Sequence, residues 1–175
     1  KSHTSAFRWY KLGCNGEDAR ACTRLAYFYD KGLSVSQNDG LAAELYKKGC
    51  NLGRAFACVV LGIFNETARS VPRDYVRAHD LYQQGCDGGN ARGCTHRGLL
   101  YMNALDVPQD YARGAALFLE GCDGRNADGC GFAGYLHENG LGVEFDLGRG
   151  RSLYQQGCEA GSSWACRQAK RLAAQ

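Results

Sequence analysis

Residues 49–58 read Gly-Cys-Asn-Leu-Gly-Arg-Ala-Phe-Ala-Cys, and this G-C-x7-C frame decides the fold. It recurs at residues 13–22, 85–94, 121–130 and 157–166, so each of the five cysteine pairs begins 36 residues after the one before. A fixed period between about 20 and 50 residues marks a solenoid, propeller or array, because each repeat is one supersecondary unit that buries its apolar face only against its neighbours. Cutting after the first cysteine of each pair gives four gapless repeats, 15–50, 51–86, 87–122 and 123–158. They form a single repeat domain over 1–175, with partial repeats at 1–14 and 159–175. Both ends fall inside the pattern, which reads as a piece trimmed from a longer protein with any targeting segment out of view.

Stacking the repeats separates constant columns from variable ones. The fifth column is always small (Ala19, Ala55, Ala91, Ala127, Ser163), and so is the twelfth (Ala26, Gly62, Gly98, Gly134). Columns thirty-one and thirty-two pair leucine with an aromatic ring: Leu45-Tyr46, Leu81-Tyr82, Leu117-Phe118 and Leu153-Tyr154. Each repeat holds two helical stretches. The first starts behind a capping residue in the fourth column, where Asp18, Asn90, Asn126 and Ser162 fit and Arg54 does not. From there Cys22, Leu25, Ala26 and Tyr29 share one helical face. The second starts at Asn38, Asp74, Asp110 or Asp146 and is expected to end at the Gly-Cys pair, where glycine permits a left-handed exit. Alternating apolar and polar runs are absent, so the fold class is all-α.

Composition narrows the function classes. The chain of 175 residues carries a net charge of only +3, with acidic residues set between the basic ones, so no nucleic-acid stripe is outlined. No apolar run approaches the roughly 18 residues of a membrane span. The four histidines (His3, His79, His96, His137) occupy four different columns, and no P-loop, H-E-x-x-H, G-x-S-x-G or G-x-G-x-x-G frame is present. Neither a metal nor a cofactor is expected.

The small fifth column, the turns Val71-Pro72-Arg73-Asp74-Tyr75 and Val107-Pro108-Gln109-Asp110-Tyr111, and second helices such as Ala78-His79-Asp80-Leu81-Tyr82 resemble the Sel1-like repeat, a relative of the tetratricopeptide repeat. The C-x7-C at every junction resembles the branch of the Helicobacter cysteine-rich proteins. The resemblance covers the whole chain, and it implies a right-handed α-α superhelix. The last full repeat departs at Val143-Glu144-Phe145-Asp146, which lacks the proline; proline favours that turn without being required for it.

The cysteines are read as disulfides pairing Cys14 with Cys22, Cys50 with Cys58, Cys86 with Cys94, Cys122 with Cys130, and Cys158 with Cys166. A short loop between two helices brings such positions to about 5.5 Å between Cα atoms. Structural zinc sites use C-x2–4-C and redox catalysis uses C-x-x-C, and neither spacing occurs here. Disulfides at every junction place the protein in an oxidising compartment, the bacterial periplasm or the cell exterior.

Function is expected on the face beside the core face of the first helices. The groove columns are six, nine, thirteen, sixteen and seventeen. Column six supplies Arg20, Phe56, Arg92, Asp128 and Trp164; column thirteen supplies Tyr27, Ile63, Leu99 and Tyr135; column sixteen supplies Asp30, Glu66, Met102 and Glu138. These change in charge and size from repeat to repeat while the core columns hold still, as expected of a surface fitted to a partner, and aromatics and arginine are the types enriched at binding hot spots. The expectation is a monomeric interaction module binding a protein or peptide on its concave face, in host interaction, signalling or effector immunity. The resemblance also implies an alternative, a weak β-lactam-binding hydrolase, although the S-x-x-K frame of serine β-lactamases is missing.

Overall fold

The computed structural model describes residues 3–174, which contain ten α-helices and no strand. They fall into two compact units divided between Gly88 and Gly89. The first holds α1 (His3–Asn15), α2 (Ala19–Lys31), α3 (Asp39–Asn51), α4 (Ala55–Glu66) and α5 (Tyr75–Asp87). The second holds α6 (Ala91–Met102), α7 (Tyr111–Asp123), α8 (Ala127–Asn139), α9 (Leu147–Glu159) and α10 (Ser163–Ala173). Within each unit, every helix packs on the next in sequence. None of these helices is long and apolar enough to cross a membrane.

The capping residues do what their chemistry suggests. Asp18, Asn38, Asp74, Asn90, Asp110, Asn126, Asp146 and Ser162 each accept a hydrogen bond from a backbone N–H in the first turn of the following helix, and Arg54 supplies none to α4. Each hairpin is closed the same way. The N–H of the second helix's cap donates to a carbonyl near the end of the first: Asn38 to Tyr29, Asp74 to Asn65, Asp110 to Tyr101, Asp146 to His137. The first and last of these, at 3.0 and 2.9 Å, show that the two repeats without proline keep the same turn.

The core of each hairpin is a ring set against a small residue. Tyr46, Tyr82, Phe118 and Tyr154 are all fully buried. A Cβ on Gly62 would lie 2.6 Å from the Tyr82 ring, and one on Gly98 would lie 2.7 Å from the Phe118 ring. The twelfth column is therefore small because the aromatic of the second helix packs closely against its backbone.

The Gly-Cys glycine has a different role from the expected one. The helices run one residue past the cysteine, and Gly49, Gly85, Gly121 and Gly157 remain helical and buried. The left-handed residues come three positions after each cysteine, at Glu17, Gly53, Gly89, Arg125 and Gly161. What the Gly-Cys glycine provides is close approach to the first helix: a Cβ on Gly85 would meet the Val59 side chain at 2.4 Å, and one on Gly157 would meet the Ala127 carbonyl at 2.8 Å and Ala165 Cβ at 2.9 Å.

All ten cysteines are disulfide-bonded and none is free. In the first unit Cys14–Cys22 and Cys50–Cys58 have Cα atoms 4.4 and 4.7 Å apart; in the second, Cys122–Cys130 and Cys158–Cys166 are both at 4.4 Å. Such bonds persist in proteins that mature under oxidising, extracytoplasmic conditions.

Candidate interaction site

In the first unit, α2 carries Arg20, Arg24 and Tyr27 at i, i+4 and i+7, which places them along one helical face. Arg54, just ahead of α4, and Phe56 in its first turn face them. Together with Thr23 these residues line a cleft of about 490 Å³. It adjoins a larger hollow of about 730 Å³ between α1 and α2, where Trp9, Tyr10 and Phe28 join the shared Arg24 and Tyr27. Tyr27 and Phe56 are each 39 % exposed and Trp9 is 72 % exposed, so the floor is aromatic and open. Three residues named from sequence, Arg20, Tyr27 and Phe56, thus meet in one place.

Two groove columns are occupied differently from the expectation. Column nine is buried: Thr23 and Val59 in the first unit and Thr95 in the second lie beneath the Gly-Cys glycines of the second helices. Column sixteen holds scaffold contacts. Asp30 is only 6 % exposed and pairs with Arg69 at 2.7 Å. Arg69 also binds Asp39 at 2.6 Å and lies over the Phe64 ring, 4.1 Å from its centroid. The hydrogen bond from Arg69 holds the Asp39 carboxyl below the ordinary carboxylate value. Glu66 accepts a hydrogen bond from the phenol of Tyr82, and Glu138 accepts one from Tyr154 at 2.8 Å and another from Arg171. Burial, and then the Glu138 contact, push the Tyr154 phenol up. In the third repeat the same two columns hold Met102 and Phe118, where neither side chain carries the polar atom.

The remaining candidates of the second unit lie along α6, α8 and α10. Arg92 and Asp128 are exposed; Arg92 donates to His96 at 3.2 Å, and Asp128 accepts from the Ser162 hydroxyl at 3.3 Å. Tyr135 is 38 % exposed. Leu99 is half-buried against the apolar cluster around Phe118 and Leu136, and Trp164 is half-buried edge-on to Tyr154 with Phe132 beside it.

Arg24 and Arg54 were missed at the sequence level, although each left a trace. Arg54 is the residue that fails the capping column, and Arg24 lies one turn after Arg20 on the helical face that Tyr27 shares.

The Sel1 repeat family matches residues 1–18, 19–53, 55–90, 91–126 and 127–162. The chain is a Sel1-repeat protein. Its fold is the all-helical solenoid of helix-turn-helix repeats of about 36 residues, and Sel1 repeats are protein–protein interaction modules. Among solved structures it is similar to a Sel1 repeat protein from Oxalobacter formigenes, with a TM-score of 0.91 at 23 % identity over 96 % of this chain and 69 % of that one. It is also similar to c5321, a protective antigen of uropathogenic Escherichia coli, with a TM-score of 0.87 at 22 % identity over 93 % of this chain and 35 % of that one. The Helicobacter pylori cysteine rich protein B aligns with a TM-score of 0.62 at 24 % identity, over 75 % of this chain and 95 % of that one. These likenesses establish the fold. No curated protein sequence matches the chain.

Proposed function

We propose that this Sel1-repeat protein is a monomeric periplasmic or secreted adaptor that holds a peptide segment or protein surface against the exposed face of its first helices. The observation that carries the reading is the convergence of Arg20, Tyr27 and Phe56 on one cleft, with both rings partly open to solvent while the packing rings Tyr46, Tyr82, Phe118 and Tyr154 are fully buried. Leaving two large rings exposed forgoes about 1 kcal/mol or more of burial each, which a bound partner would recover. In the second unit Arg92, Asp128 and Tyr135 are the corresponding contacts, with Leu99 and Trp164 behind them. The disulfides support the compartment, since bonds of this kind are rare where thiols are kept reduced.

The experiment is crosslinking of the purified chain in periplasmic or host extract, with Tyr27→Ala/Phe56→Ala as the comparison. Both side chains are partly exposed, so the melting temperature should change little. A partner crosslinked to the parent chain and lost from the double variant supports the reading. An unchanged crosslinking pattern contradicts it.

A further inference from the structure

We propose that the first-unit groove recognises an acidic peptide segment, one that places carboxylates on Arg20, Arg24 and Arg54 and an apolar side chain on Tyr27 and Phe56. This rests on the adaptor reading above and gives it a chemistry. Among the described residues, none of the three guanidinium groups has an ion-pair or hydrogen-bond partner, whereas Arg69, Arg113 and Arg171 each hold a carboxylate. All three line the same cleft. The acids of the same helix are committed elsewhere: Asp18 caps α2 through the Ala21 N–H at 2.7 Å, and Asp30 is paired with Arg69.

The positions are also costly for cations. Arg20 is the second residue of α2 and Arg54 is the N-cap of α4. The positive ends of the helix dipoles repel a guanidinium at both places, and Arg54 stands where the other first helices have a side-chain cap. Three like charges left unneutralised around two half-exposed rings make a site that lacks its counter-charge. Guanidinium planes suit it to carboxylates, which they bind in bidentate fashion, and the rings suit it to an adjacent apolar side chain. A peptide supplies both within a few residues.

The test is panning of a random dodecapeptide library on the immobilised 175-residue chain, beside Arg20→Gln/Arg24→Gln/Arg54→Gln and Tyr27→Ala/Phe56→Ala. The proposal expects the parent chain to enrich peptides with clustered Asp or Glu next to an apolar residue. It expects the arginine triple variant to lose that bias and to bind the best such peptide about tenfold or more weakly, as loss of three ion pairs implies. Enrichment of neutral apolar peptides that survives the triple variant but not the ring variant overturns the acidic specificity and leaves the adaptor reading standing. An acidic bias unchanged in the triple variant overturns it as well. Preferential binding of a short oligothymidine would overturn it in favour of a phosphate backbone. If no peptide is enriched over the bare support, both readings fall.

Discussion

At the residue scale, Arg69 shows how a variable column becomes part of the scaffold. Its guanidinium neutralises the buried Asp30 and the half-buried Asp39 while stacking on Phe64. Arg69→Gln removes the charge and leaves buried Asp30 with only the exposed Lys31 ammonium, 3.1 Å away, so we expect a loss of about 1–2 kcal/mol in chemical denaturation near neutral pH. The pH dependence has a definite sign. Asp39 has its folded-state carboxyl lowered by the hydrogen bond from Arg69, relative to 3.8 when unperturbed. The stability it contributes is therefore present above about pH 4 and lost as pH falls through the lower folded value. Denaturation midpoints between pH 6 and pH 2 should drop less steeply below about pH 4 in Arg69→Gln than in the parent chain. An unchanged acid limb would show that Asp39 does not draw its stabilisation from Arg69. This arrangement was not legible in sequence, because Asp30 and Arg69 are 39 residues apart and belong to different repeats.

At the element scale, the hairpins depend on glycine for proximity more than for turning. Gly98→Ala would drive a methyl group into the Phe118 ring, and Gly157→Ala would drive one into the backbone of Ala127. Each should destabilise the second unit by about 1–3 kcal/mol, despite the better helix propensity of alanine. Thermal melts check this: a neutral or stabilising Gly157→Ala would mean that α9 and α8 do not approach as described. Periodicity alone exposed the helices, their caps and the small twelfth column, because each is a local rule repeated every 36 residues. It could not separate a glycine that turns the chain from a glycine that lets two helices touch. The true left-handed positions are partly held by Glu17 and Arg125, which carry no glycine signal. The same limit misplaced column nine, which a helical wheel puts beside the groove and the packing of the second helix buries. For the candidate site, Arg20, Tyr27 and Phe56 stood out by varying against a constant background. Arg24 and Arg54 needed the cleft itself to draw them together.

At the scale of the whole molecule, the disulfides and the variable face divide the work between scaffold and recognition. Each staple closes a short loop and should stabilise its junction by roughly 2.5 kcal/mol on the chain-entropy account, in an architecture whose stability is a sum of neighbour interfaces. Alkylation of the native chain should add no mass, and alkylation after reduction and unfolding should modify all ten cysteines. Modification of the native chain would remove the argument for an oxidising compartment. The functional claim is more exposed, because it depends on which face of the repeats a partner covers. Hydrogen–deuterium exchange of the full chain, with and without a crosslinked partner or selected peptide, tests that most directly. Exchange should slow in α2 and in the first turn of α4, around Arg20, Tyr27, Arg54 and Phe56, with α3 and α5 unchanged. Protection confined to α3 and α5 would contradict the functional claim.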